Sequence, residues 1–159
     1  PSAPVKAILN ATWGMSPDEV ATVNGAALET PISAHRFHES EPGMEGRYRT
    51  LEARQRKFLG RPAVYSYTFF DDRLFTYHVS VSDNDGDALD IEMRKYLIQR
   101  FGDNAGSVDD GSRLKLVWQT SALTVNYWSY EDDVTSLVAP HKAVFGVVYK
   151  PLERAQPVK

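Results

Sequence analysis

The sequence predicts a single α+β domain, in which about five to six strands form a twisted antiparallel sheet and two helices pack on one of its faces. Capping residues indicate a short helix near the start, an apolar stripe indicates a second helix, and runs of aromatic and β-branched residues indicate strands. The chain has 159 residues, of which 42% are hydrophobic and 25% charged. This length and composition are typical of one globular domain, predicted over 1–152, with a flexible tail over 153–159.

The first helix is predicted over 17–23 from its capping residues. Ser16 is suited to the N-cap, and Pro17 to the first helical position, where a missing N–H costs nothing. Glu19, three residues after Ser16, can close a capping box. Gly25 can end the helix in the left-handed conformation.

The segments on either side of residue 48 predict secondary structure less clearly than the first helix does. Residues 26–48 contain several Pro and Gly residues and little periodicity, so we expect a long connection. Residues 49–59 leave two alternatives open: a helix, which the spacing of Leu51, Gln55 and Phe58 slightly favours, or a strand that ends at the following turn.

A hairpin is predicted next, from Ala63–Phe70 and Arg73–Val81. Odd-numbered aromatic and β-branched residues alternate with polar ones in both segments, so we expect the odd positions to face the core. For odd residues to pair with odd, the loop needs an odd number of residues, and we place Asp71-Asp72-Arg73 in it.

The remaining elements follow from periodicity and turn residues. A second helix is predicted from about Asp87 to Arg100, ended by Gly102. A turn-rich loop is expected over 103–112. Three strands follow, predicted over Arg113–Gln119, Ala122–Tyr130 and Ala143–Lys150.

Several short runs together resemble a known group of proteins. They are Trp13–Val20, Gly60–Ala63, Tyr67–Leu74, Tyr96–Gly102, and Trp118 with Thr124-Val125. This arrangement is similar to the β-lactamase-inhibitor-protein-like families of small bacterial exported proteins and lipoproteins, which include a small lipoprotein of the outer-membrane assembly machinery. The resemblance implies a periplasmic or otherwise extracytoplasmic location and a sheet that binds other proteins. It also favours a strand over 49–58.

Composition and motifs limit the function classes. The net charge of −3 provides no overall basic field for nucleic acid, no apolar run is long enough to span a bilayer, and there is no Cys for disulfides or thiol chemistry. Phosphate-loop, nucleophile-elbow and zinc signatures are absent, so we expect no enzyme activity and no cofactor. The start Pro1-Ser2-Ala3-Pro4 is typical of a mature terminus after signal removal or of a trimmed chain, and whether a lipidated Cys precedes Pro1 stays open.

Three polar groups could hold ligands, but a simpler structural role is favoured for each. His35 and His38, with His78 or His141, lack the spacing of a metal site. The run 83–87 departs from a calcium loop in its Gly and Glu positions, and a polar turn that caps the second helix explains it better. Paired aspartates such as Asp71/Asp72 could serve as acid–base pairs in catalysis, but turn chemistry explains them better. No metal site is therefore predicted.

The best candidate for function is a binding surface. Trp128 and Tyr130 have the parity opposite to Val125 and Tyr127, so with His78 they could form an open aromatic patch. The alternative is a loop that covers this face as a second core layer. The basic stretch that contains Arg54 and Arg56 fits an acidic protein partner better than nucleic acid.

The sequence thus predicts a non-catalytic extracytoplasmic module, accessory or inhibitor-like, that binds another protein of the cell envelope. Its binding residues would be Trp128, Tyr130, His78, Arg54 and Arg56, together with the loop 31–48. The alternative is a small-ligand pocket or minor enzyme site between sheet and helices, lined by Tyr65, Tyr67, His78 and Trp118.

Overall fold

The computed structural model describes residues 7–24, 48–103, 105–109, 114–131 and 141–153. These residues form an α+β fold with one antiparallel sheet of seven strands and three helices. The helices are α1 (Pro17–Asn24), α2 (Gly86–Phe101) and α3 (Lys150–Glu153). The strands are β1 (Tyr48–Phe58), β2 (Arg61–Phe70), β3 (Arg73–Asp83), β4 (Gly106–Asp109), β5 (Leu114–Gln119), β6 (Leu123–Glu131) and β7 (His141–Tyr149).

The strands follow the order β1-β2-β3-β7-β6-β5-β4 across the sheet. The α+β class and the antiparallel sheet are confirmed, whereas the predicted numbers of strands and helices are too low. By its contacts the chain divides into two compact units. Unit 1 comprises 1–54, 65–77 and 148–159, and unit 2 comprises 55–64 and 78–147.

In unit 1, α1 forms as its capping residues predict. The backbone N–H of Ser16 donates to Glu19 Oε1 at 3.1 Å, and the N–H of Glu19 donates to Ser16 Oγ at 3.2 Å, which is a complete capping box. Before the helix, the Trp13 ring stacks between Tyr77 and Tyr149, at centroid distances of 5.6 and 5.3 Å. This aromatic stack holds the segment that enters α1 against the sheet strands of its own unit.

Residues 48–58 form strand β1, so the helical alternative is wrong. Tyr48 and Thr50 are buried at the start of the strand; next to them Leu51 and Ala53 are buried at odd positions, and further along Phe58 is buried at an even one. Gln55 lies between them with a φ of 57°, and a left-handed residue inside a strand is typical of a β-bulge, which adds one residue and reverses the alternation. The added residue gives the apolar side chains of β1 a spacing that resembles the stripe of a helix, which is why the sequence pattern favoured a helix here.

The β2–β3 hairpin has a two-residue turn, not the predicted three-residue loop. Asp71 and Asp72 have φ values of 48° and 61°, as a type I′ turn requires. This turn places Phe70 across from Arg73, so odd residues of one strand lie across from even residues of the other. Both parities are buried beside the turn, over 67–70 and 74–77.

In unit 2, α2 extends from Gly86 to Phe101, close to the predicted bounds. The Asp85 side chain caps it by accepting from the N–H of Ala88, and the N–H of Gly102 donates to the Ile98 carbonyl at the other end. Leu89, Met93 and Leu97 are buried on one face. The helix therefore packs through the apolar stripe that predicted it.

The last strands are as predicted, except for β4. Strand β5 pairs antiparallel with β6, with Leu116 opposite Tyr127 and Trp118 opposite Val125. Strand β4 pairs with β5 inside the segment predicted to be a loop. It is four residues long, too short for a recognisable alternation.

Two further expectations lie in part outside the described residues. The connection over 26–48 is described only at Tyr48, and the tail only at Glu153, which ends α3. None of the described helices has the length and apolar character needed to cross a membrane.

Candidate functional site

The strands of unit 2 present two different faces. Tyr127 and Phe145 both contact α2, and so define an inner face. Because successive side chains of a strand point to opposite sides, Trp128 and Gly146 lie on the other side, which we call the outer face. His78 belongs to the outer face because its ring contacts both Trp128 and Gly146.

The inner face is fixed to α2 by hydrogen bonds as well as by packing. The Tyr127 hydroxyl donates to Asp90 Oδ1 at 2.6 Å, and Arg94 Nε donates to the other carboxylate oxygen at 2.9 Å. Burial and this hydrogen bond to Asp90 both raise the pKa of Tyr127. The Trp118 indole N–H donates to the carbonyl of Gly102 at 2.7 Å, just after the end of the helix. These polar contacts fix the position of α2 on the strands.

On the outer face, two aromatic rings meet edge to face. The centroids of His78 and Trp128 are 6.5 Å apart, at an interplanar angle of 66°. Both side chains are half-buried, so part of each ring is accessible. Two rings held in a defined arrangement and partly exposed are the kind of surface that protein partners contact.

The imidazole of His78 lies directly over Gly146. A Cβ added at Gly146 would lie 2.4 Å from Cδ2 and 2.6 Å from Nε2 of His78, closer than real Cβ atoms approach. Glycine is thus needed here, because it lets the imidazole approach the backbone of β7 closely. Burial lowers the pKa of His78, so the neutral imidazole is favoured.

Tyr130 lines a cleft of about 670 Å³ at the start of α2. The cleft is also lined by residues 84–87, which lead into α2, and by His141 and Lys142. His141 packs against Gly86, where an added Cβ would lie 2.6 Å from its Nδ1. The structure therefore gathers residues considered separately in the sequence: the polar run before α2, His141 and Tyr130.

Two of the three carboxylates of this polar run, Asp83 and Asp85, have structural partners. Asp83 pairs with Arg61, which also binds Glu92 on α2, and these contacts lower the pKa of Asp83 and of Glu92. Asp85 caps the helix. Within the described residues, no three His, Asp or Glu side chains converge on a metal position. His35 and His38 lie outside the described residues.

The other predicted binding residues are placed separately. Arg54, in unit 1, is exposed and pairs with Glu52 at 2.8 Å, and Arg56, in unit 2, is half-buried. The loop 31–48 is outside the described residues except for Tyr48, which is buried. Of the residues proposed to line a pocket, Tyr65, Tyr67 and Trp118 are core side chains and line neither of the two clefts described in this chain.

Sequence reasoning missed two residues that shape this region. Gly146 lies inside a β-rich run, and an isolated Gly there indicates a close approach of another group, which could have drawn attention to it. Asp90 lies on a polar flank of α2, and no local pattern connects it with Tyr127, 37 positions away. Comparison with models of known families, with curated proteins and with solved structures finds no match to this chain.

Proposed function

We propose that this chain is a non-catalytic, extracytoplasmic protein-binding module whose contact surface is the outer face of unit 2. The observation that carries the proposal is the contact between His78 and Trp128, which are partly exposed and lie on the opposite side of the strands from α2. Trp is a preferred anchor at interfaces because it provides a large contact area with few rotatable bonds. The resemblance to bacterial exported proteins supports the location and a partner in the cell envelope.

The chemistry of this face favours a protein over a small ligand. Trp128 has a polar neighbour on the same face, Asn126, two residues before it in the strand. Asn126 is half-buried and pairs with Val117 on β5. An aromatic anchor with polar neighbours is the usual composition of a binding patch, with an apolar centre and a hydrated rim. The packing of helices on a single sheet face remains part of this proposal, because it would leave the other face free for a partner.

The proposal is tested by export and capture. The tagged chain is exported to the periplasm of a bacterial host, crosslinked in living cells and purified, and co-purifying envelope proteins are quantified. Trp128→Ala should reduce a recurrent partner about tenfold or more, as expected for an interface anchor. Ile91→Ala, on the exposed side of α2, is the matched control and should leave capture unchanged.

Two further measurements separate lost binding from lost folding. The circular dichroism spectrum of Trp128→Ala should match that of the parent protein, and the variant should still unfold in a cooperative thermal transition. If they do not, Asn126→Arg places a long charged side chain on the same face without removing a ring. If folded Trp128→Ala and Asn126→Arg both capture the envelope partner as well as the parent protein does, the proposal is overturned.

A second candidate is the binding of a small polar ligand in the cleft at the start of α2. Its volume of about 670 Å³ lies in the range of small-molecule sites, and Tyr130, His141 and Lys142 provide hydrogen-bonding groups of different kinds. Screening of polar metabolites by ligand-observed NMR tests it. Signals that respond to the parent protein and to Trp128→Ala, but not to Tyr130→Ala, would favour the cleft over the outer face.

A further inference from the structure

A separate pocket lies in unit 1, beside the turn of the β2–β3 hairpin. Its volume is about 350 Å³, and it is lined by Phe70, Asp71, Arg73, Phe75 and Leu152. Behind the two phenylalanines lies Tyr48, whose ring is 4.8 Å from that of Phe70 and 6.3 Å from that of Phe75. The floor of the pocket is therefore formed by closely packed aromatic rings.

The polar groups of this pocket carry opposite charges. Asp71 and Arg73 are both exposed and lie two residues apart, on either side of Asp72. Asp72 pairs with Arg49 at 3.7 Å, whereas the side chain of Arg73 makes no ion pair or hydrogen bond with the described residues. An exposed guanidinium at the edge of an apolar pocket can bind an incoming anion in bidentate geometry.

The turn fixes the backbone from which these charged side chains extend. Asp71 and Asp72 both have positive φ, and a two-residue type I′ turn has little freedom once its strands are paired. The strand residues beside it, over 67–70 and 74–77, are buried. The separation between the Asp71 and Arg73 backbones is thus set by the hairpin, which reduces the entropy lost when a ligand binds both charges.

We propose that this pocket binds a free hydrophobic α-amino acid. Arg73 receives the α-carboxylate, Asp71 receives the α-ammonium, and the apolar side chain lies against Phe70, Phe75 and Leu152. The volume is at the small end of the range for ligand sites, which suits one amino acid better than a cofactor. The proposal concerns unit 1 and does not depend on the function proposed for unit 2.

The test is titration of the full chain with L-phenylalanine, followed by two-dimensional NMR. Saturable shifts are expected for Phe70, Arg73, Phe75 and Leu152. Arg73→Gln should weaken binding about tenfold, since a charge-assisted hydrogen bond is worth about that factor. Arg54→Gln removes an exposed guanidinium of the same unit that pairs with Glu52 and lines no part of the pocket, and should leave the affinity unchanged.

Two further comparisons make the assignment specific. Asp71→Asn keeps a side chain that tolerates positive φ and removes only the charge, so it should weaken binding while the hairpin stays intact. 3-Phenylpropanoate lacks the ammonium, phenethylamine lacks the carboxylate, and glycine lacks the apolar side chain, so each should bind more weakly than phenylalanine. The absence of saturable shifts up to about 10 mM ligand, or equal affinity for phenylalanine and phenethylamine, would overturn the proposal.

Discussion

The inner and outer faces of unit 2 differ although the same strands supply both. On the inner face, Tyr127 is buried and bound to Asp90 of α2. One residue further along β6, Trp128 is half-buried and meets His78, whose imidazole makes no hydrogen bond with the described residues. A strand can thus anchor a helix with one set of side chains and present rings with the other. Attachment to α2 on one side and partial exposure on the other distinguish the two faces.

The largest effect is expected on the outer face, from Gly146→Ala. The new Cβ would overlap the His78 imidazole at 2.4 Å, and the ring or strand β7 would have to move. Overpacking of this kind typically costs 1–3 kcal/mol, so we expect the free energy of unfolding to fall by about 2 kcal/mol. Urea-induced unfolding measures it.

Two comparisons identify the cause of that loss. Gly106→Ala places a Cβ at an ordinary contact distance, 3.8 Å from the Val117 carbonyl, and should cost little. In a His78→Ala background the clash is absent, so Gly146→Ala should become nearly neutral. Additive effects of the two substitutions would show that His78 does not lie on Gly146.

A smaller effect is expected on the inner face, from Tyr127→Phe. This change removes the hydroxyl that donates to Asp90 at 2.6 Å, and hydrogen bonds to charged groups contribute about 1.5–3 kcal/mol. We expect a loss near the lower end, about 1.5 kcal/mol, because Arg94 still pairs with Asp90. Thermal unfolding of both proteins measures it.

The matched control is Tyr149→Phe in unit 1. The Tyr149 ring stacks on Trp13, and its hydroxyl makes no hydrogen bond with the described residues. Equal destabilisation by Tyr127→Phe and Tyr149→Phe would contradict the role given to the Asp90 contact.

The smallest effect is a pH dependence from His78. Burial lowers its pKa below the ordinary value of 6.5, so the unfolded state binds this proton more readily than the folded state. The contribution of His78 to stability is therefore fully present above pH 6.5 and falls as the pH drops from 6.5 towards the folded-state pKa. The difference between the stability profiles of the parent protein and His78→Asn isolates this contribution. If the stability of the parent protein minus that of His78→Asn instead increases as the pH drops below 6.5, the sign is the opposite of the one expected.

Sequence patterns predicted elements whose determinants are local. The capping box of Ser16 and Glu19 and the apolar stripe of α2 gave both long helices close to their bounds. The patterns failed where a single residue changes the alternation. Left-handed Gln55 gives β1 a helix-like spacing, and Asp71-Asp72 form a type I′ turn without the Gly that usually indicates one.

The candidate site was predictable only in part, for a similar reason. Alternation alone placed Trp128 on the side opposite Tyr127, and an outward His78 near it. The position of Tyr130 in the cleft depends on where α2 begins relative to β6 and β7, which is a tertiary feature. The binding function of the outer face remains a prediction.

The most direct test of the outer face as a binding surface is site-specific photocrosslinking. A benzophenone amino acid replaces Asn126 on the outer face or, as the control, Ile91 on the exposed side of α2, and the exported protein is irradiated in living cells. We expect a discrete crosslinked envelope protein from position 126 that is absent from position 91 and is lost when Trp128→Ala is added. Crosslinks of the same pattern from both positions, or none from position 126 in the folded protein, would contradict the account.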